Sequence, residues 1–209
     1  MWEPSRPPLR PPDANTARPP PLPLASVVLR CRALRSLFGL TAKKVKMKER
    51  KPTHNNMYMS TCTCRVFFCC AAALALERHV ADASAAVVLD AGAGTGQVGE
   101  HLSRLGFSHV LGVDLSAPML RVAATKGCYR ELLRGDLTDR TLLPPGSLDA
   151  VVCVGTLTPN HVEDGATLHT WLEWLRPGGV ICASIRDDFW EGSPLPNACQ
   201  RLQEEGLWT

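Results

Sequence analysis

One stretch constrains this chain more than any other: Val87-Val88-Leu89-Asp90-Ala91-Gly92-Ala93-Gly94-Thr95-Gly96. Three apolar residues, two of them β-branched, read as a short buried strand. An acidic residue and alternating glycines follow. Thr95 to Leu105 then reads as a helix with Val98, Leu102 and Leu105 on one face. Strand, glycine turn and helix in this order make a ligand cradle. Without a Cβ the backbone can touch a ligand lying across the strand end. The amides at the helix N-terminus face that ligand with partial positive charge and suit a carboxylate or a phosphate equally.

The same alternation continues downstream. Val110 to Val113 is a second apolar strand ending at Asp114, and Ser116 is placed to cap a helix beginning at Ala117-Pro118. Tyr129 to Leu133, Leu148 to Val154 and Val180 to Ile185 are expected as further strands. Leu168, Trp171, Leu172 and Leu175 form a helical face stopped by Pro177-Gly178-Gly179, with Arg176 as a cation at the helix end, and Asn197 to Glu205 reads as a last helix. Strands alternating with helices at this spacing imply βαβ units: an α/β, Rossmann-like parallel sheet with helices on both faces.

The ligand is less determined than the cradle. From Gly92 the dinucleotide register G-x-G-x-x-G fails at Gln97; from Gly94 it is met by Gly94, Gly96 and Gly99, which keeps a nicotinamide cofactor open. Asp90 argues the other way, because a carboxylate at that strand end would repel a pyrophosphate. It suits the ammonium of a cofactor with an amino-acid end, reached directly or through water. Asp114 is expected to accept bonds from ribose hydroxyls, which fits either cofactor but not a ribose carrying a 2′-phosphate.

Taken together these segments resemble class I S-adenosylmethionine-dependent methyltransferases. Asp90 to Gly96 is similar to their signature loop, Gly112-Val113-Asp114-Leu115-Ser116-Ala117-Pro118-Met119-Leu120 to their second motif, and Gly135-Asp136-Leu137 to the position where an Asp meets the adenine amino group. Leu148-Asp149-Ala150-Val151-Val152 resembles their fourth-strand motif, and Leu175-Arg176-Pro177-Gly178-Gly179 their turn into strand five. The resemblance implies S-adenosylmethionine as cofactor, held by Asp90, Gly92, Gly94, Gly96, Asp114, Leu115, Asp136 and Leu137. Two departures stand out. The Tyr/Trp/Asp-rich helix usual before the domain is replaced by Pro-rich, basic and Cys-rich sequence. The chain also stops at Thr209, where the family continues into two more strands. A domain over 66–209, incomplete at its C-terminus, is expected, with Val180 to Ile185 left as an apolar sheet edge.

Residues 1–65 are expected to be a disordered tail. Nine of the 17 prolines fall in residues 1–24, and the first 60 residues hold twelve of the 23 Lys/Arg but only three of the 20 Asp/Glu. An Arg-rich, acid-poor start of this kind also fits a mitochondrial transit segment. The remainder is mildly acidic, with no global bias toward nucleic acid. Nine cysteines, an odd number, fit a reducing intracellular, cytoplasmic setting better than a disulfide framework. Cys153 and Cys182 read as small buried hydrophobes. Cys62-Thr63-Cys64 and Cys69-Cys70 match no standard zinc spacing, so no metal is expected. The apolar run Val66 to Leu76 is too short to span a bilayer, and Val66 to Val80 reads as a helix packed on the sheet edge.

The expected reaction is methyl transfer to a small-molecule or protein acceptor. His161, on the loop after the Leu148 to Val154 strand, is the candidate base, and Asp187 and Asp188 are candidate acceptor-pocket residues. That loop, Gly155-Thr156-Leu157-Thr158-Pro159-Asn160-His161, lacks the Asn/Asp-Pro-Pro-aromatic grip used on the adenine exocyclic amine and the glutamine amide, which disfavours DNA and glutamine acceptors. Two other readings stay open: a nicotinamide-dependent oxidoreductase, and a truncated pseudoenzyme or interaction module.

Overall fold

The computed structural model describes residues 25–30, 68–158 and 165–208; for 25–30, 187 and 188 only the backbone is described. Six parallel strands form one sheet: β1 (Ala25–Arg30), β2 (Val87–Ala91), β3 (His109–Asp114), β4 (Glu131–Arg134), β5 (Leu148–Val154) and β6 (Leu175–Ile185). Their order is β1-β6-β5-β2-β3-β4. The helices are α1 (68–77), α2 (Gln97–Arg104), α3 (Ala117–Ala124), α4 (Ala166–Trp174), α5 (Asp187–Gly192) and α6 (Leu195–Glu204). The order reverses direction between β2 and β5, and in open parallel sheets ligands bind outside the carboxyl ends of the strands at such a point.

The central strands are buried on both faces, as a parallel sheet requires. Leu89 and Ala91, Val151 and Cys153, and Ile181 and Ala183 face one layer, which holds Trp171 and Trp174 of α4 and Leu195 and Leu202 of α6. Val88, Ala150, Val152, Val180 and Cys182 face the other, which holds Leu76 of α1 and Val98 and Leu102 of α2. This is the two-residue period of a strand read off side by side in three strands. Cys153 and Cys182 are fully buried, the expected place for both.

Several elements differ from the sequence reading. Residues 68–77 cover a sheet face rather than its edge. The run Ala71-Ala72-Ala73 lets the helix backbone approach closely enough for the Cys182 thiol to donate to the Ala72 carbonyl at 3.5 Å. Leu175 is not the end of a helical face but the first residue of β6, with φ −77° and ψ 143°. Arg176 is correspondingly not a helix cap. Its guanidinium donates to Asp149 Oδ1 at 2.6 Å, while Asp149 Oδ2 accepts the Val87 amide at 2.8 Å and ties the starts of β2, β5 and β6 together. Pro177 contributes to the switch, because it disfavours helical backbone at Arg176, and helices usually end at or before the residue preceding a proline. Val180 to Ile185 is not a bare edge: Ala25–Arg30 pairs along it in parallel, from Ala25 opposite Val180 to Arg30 opposite Ile185. An edge strand offers an open row of amides and carbonyls to any extended, β-branched segment of the chain. The rest of the expected tail, with Cys62 and Cys64, lies outside the described residues, as does Val66. No described helix is long and apolar enough to cross a membrane.

Candidate functional site

The glycine turn is pinned onto the neighbouring strand. The amides of Gly92 and Ala93 both donate to the Val113 carbonyl at 2.9 Å. All three glycines have left-handed backbone, with φ of 80°, 54° and 83° at Gly92, Gly94 and Gly96. Only glycine adopts such angles without cost, so the alternation seen in the sequence is first of all a conformational demand.

Their surroundings differ. A Cβ on Gly92 would overlap the Thr156 side chain, which comes over from the loop after β5. A Cβ on Gly96 would come within 3.0 Å of the Tyr129 ring and 3.1 Å of the Ala123 methyl. At Gly94 the nearest atoms would be 3.9 Å away. Protein therefore closes in on Gly92 and Gly96, and Gly94 alone keeps open space in front of bare backbone.

Asp114 closes the turn from the side. Its Oδ2 accepts the Gly94 amide and its Oδ1 the Ser116 amide, both at 2.8 Å. Two fixed donors hold the carboxylate at the end of β3 with its remaining lone pairs available. Ser116 caps α3 as expected, accepting the Met119 amide at 3.4 Å. Leu115 and Met119 beside it are 63% and 44% exposed, unusual for large apolar side chains next to polar backbone. The Leu115 carbonyl accepts the Arg134 guanidinium at 3.1 Å. The Gly135 amide donates to the Asp114 carbonyl at 3.3 Å, which brings Asp136 to the same rim. Asp136 Oδ1 takes the amide and hydroxyl of Thr138. Leu137 turns away into the core with Leu111, Val113 and Leu143.

Asp90 lies underneath, on the α2 face of the sheet and wholly buried. Its Oδ2 accepts the Tyr129 hydroxyl at 2.6 Å, and its Oδ1 is buried with no hydrogen-bond partner among the described residues. Burial pushes its carboxyl up to about 7. The Tyr129 bond pulls against that shift and the Asp114 charge adds to it. A buried acceptor left unpartnered costs about 1–3 kcal/mol, so the site favours a cation or donor brought to the strand end.

Tyr129, which the sequence reading placed in a strand, precedes β4 and slots its ring against Gly96, Gly99 and Gly112. The signal was present. Glycine inside a helix or strand costs roughly 0.5–1 kcal/mol, so Gly99 and Gly112 mark a large neighbour. The same packing accounts for Gly96 and Gly99 without a dinucleotide, which removes the main support for the nicotinamide register. Thr156 is the other residue that spacing did not reveal. His161 lies outside the described residues, and for Asp187 and Asp188 only the backbone, at the start of α5, is described.

A protein-family model described as a methyltransferase domain matches residues 88–179, from β2 through the turn into β6. That segment is a methyltransferase domain. Over 127 residues the chain is 34% identical to human methyltransferase-like protein 27, an overlap of 59% of this chain and 51% of that one. It is 38% identical over 99 residues to the malonyl-[acyl-carrier protein] O-methyltransferase of Yersinia pestis, covering 47% of this chain and 36% of the relative. With a ubiquinone biosynthesis O-methyltransferase of Cupriavidus pinatubonensis it shares 35% identity over 105 residues, 46% and 40% of the two chains. The chain thus spans about half the length of these relatives or less. The crystal structure of an S-adenosylmethionine-dependent methyltransferase from Mesorhizobium loti is 31% identical, with 50% and 49% of the chains covered and a TM-score of 0.43.

Proposed function

We propose that this chain binds S-adenosylmethionine across the carboxyl ends of β2 and β3 and transfers its methyl group to a small-molecule or protein acceptor. The observation that carries the reading is the buried Asp90 beneath the turn, with Oδ1 unpartnered, next to open backbone at Gly94. A dinucleotide would set its pyrophosphate over that carboxylate; an amino-acid ammonium is attracted to it.

The residues fit the group. Gly94 lets the ligand reach the backbone, Asp114 takes the ribose hydroxyls, and Leu115 and Asp136 form the adenine rim. Leu137 backs that rim from the core. Bound there, the cofactor supplies an electrophilic methyl on a sulfonium. The chain contributes position and a water-poor setting. The acceptor belongs above β5, where Thr156 and Leu157 open the loop that runs on to His161. His161 is the base for an acceptor that arrives protonated, and Asp187 and Asp188, which follow β6 in the chain, are the acidic candidates for the acceptor side. One relative is named for malonyl-[acyl-carrier protein] and another for ubiquinone biosynthesis, so likeness over the shared segment does not fix the acceptor. The same reading takes 66–209 as the methyltransferase unit of an intracellular protein, to whose sheet Ala25–Arg30 adds a strand.

Calorimetric titration of the full chain tests this. Saturable binding of S-adenosylmethionine and of S-adenosylhomocysteine, with none of NADH, supports the proposal. Binding of NADH in their place overturns it. Labelled-methyl transfer into a cell extract then separates an enzyme from a cofactor-binding module.

A further inference from the structure

Resting on the cofactor reading above, we propose that Tyr129 is a positioning residue: it holds Asp90 as an anion beneath the glycine turn and so makes the domain favour ligands with an ammonium-bearing amino-acid end.

Three positions in two elements are cut back to glycine around one ring. Gly96 opens α2, Gly99 lies within it and Gly112 lies in β3, directly across the ladder from Asp90. A Cβ at Gly99 would overlap the Tyr129 ring, and one at Gly112 would come within 2.9 Å of it. A phenylalanine would fill the same slot. The part of Tyr129 that packing does not require is its hydroxyl, which accepts the Gly99 amide at 3.2 Å and donates to Asp90 at 2.6 Å. That polarity fixes the ionisation Tyr129 favours: a donated bond stabilises the carboxylate over the neutral acid.

Among the described residues, the titratable groups near Asp90 are few. Tyr129 is held well above its ordinary range by burial and by Asp90 itself, so it stays a donor. Burial pushes the Cys153 thiol up to about 12 and raises that of Cys128, so both are neutral near pH 7. Asp114 is the remaining charge and opposes the ionisation of Asp90. Near neutral pH Asp90 is therefore poised between its two forms, and the Tyr129 bond, with a smaller contribution from the Gly99 amide, shifts that balance toward the carboxylate. The carboxylate attracts an ammonium at the strand end. The neutral acid does not, while the nucleoside part of the ligand, over Asp114 and Leu115, is indifferent to the change.

The test uses the full chain, parent and Tyr129→Phe, in calorimetric titrations from about pH 6 to about pH 8.5. The probes are S-adenosylhomocysteine and 5′-methylthioadenosine, a nucleoside thioether without the amino-acid end. Affinity of the parent for S-adenosylhomocysteine should rise with pH through about 7. In Tyr129→Phe that midpoint should move up, and a rise of about one unit weakens binding at neutral pH roughly fivefold, because the ionised fraction falls from about one half to about one eleventh. Binding of 5′-methylthioadenosine should change less than about twofold, which also shows that the variant is folded. Asp90→Asn should bind S-adenosylhomocysteine weakly at every pH, without that midpoint. An equal loss for both ligands in Tyr129→Phe, or an unmoved midpoint, overturns the proposal. A parent that binds neither nucleoside overturns the cofactor reading itself, a different result from a parent that binds both and a variant that behaves alike.

Discussion

Thr156 lies with its side chain directly over the Cα of Gly92, so the loop after β5 seals the first glycine of the turn. The loop after β5 and the glycine turn are thereby in contact, two segments separated by 64 positions in the chain. Gly92→Ala would meet both that overlap and a φ of 80°. Left-handed backbone costs a non-glycine residue about 1–2 kcal/mol, and overpacking typically adds 1–3, so a loss of about 2–5 kcal/mol in urea unfolding is expected. In a Thr156→Gly background the same substitution should cost only the backbone share. No recovery there would mean that Thr156 is not what Gly92 accommodates.

Much of this was legible in advance, for definite reasons. The strands that carry Leu89, Val113 and Val151 are apolar on both faces, and buried parallel strands leave that mark. Ser116 and Pro118 announced α3, because a cap and a first-turn proline are local signals. Signals that depend on distant partners did not show. Nothing near Arg176 tells that it will pair with Asp149, and nothing near Ala25–Arg30 names β6 as its neighbour. The separate tasks of Gly92, Gly94 and Gly96 were hidden too, since one residue type serves all three and the neighbours that distinguish them come from Thr156, Tyr129 and Ala123.

Asp90 gives the empty domain a pH signature. Its carboxyl sits at about 7 when folded against an ordinary 3.8, so the native state binds the extra proton between those values. Stability should therefore fall as pH rises from about 4 to about 7, by up to about 4 kcal/mol if the full shift is expressed. Asp90→Asn removes a titrating group, so the slope of its urea-unfolding free energy against pH should be flatter than that of the parent over this window. Identical slopes would place the proton elsewhere.

Leu115 is an exposed apolar side chain at the rim proposed to receive the adenine. Because it has little to pack against in the free domain, Leu115→Ala should change stability by less than about 0.5 kcal/mol. Burial of part of that side chain under a ligand is worth about 1–1.5 kcal/mol, so binding of S-adenosylhomocysteine should weaken about fivefold to tenfold. A stability loss without an affinity loss would make Leu115 a packing residue.

Gly94 tests the account most directly, because open backbone there is what the cofactor requires. Gly94→Val should cost the fold mainly the strain of its φ of 54°, about 1–3 kcal/mol by thermal or urea unfolding. Calorimetric titration of that folded variant with S-adenosylhomocysteine should show no binding where the parent saturates. Parent-like affinity in folded Gly94→Val would contradict the placement of the cofactor on this turn.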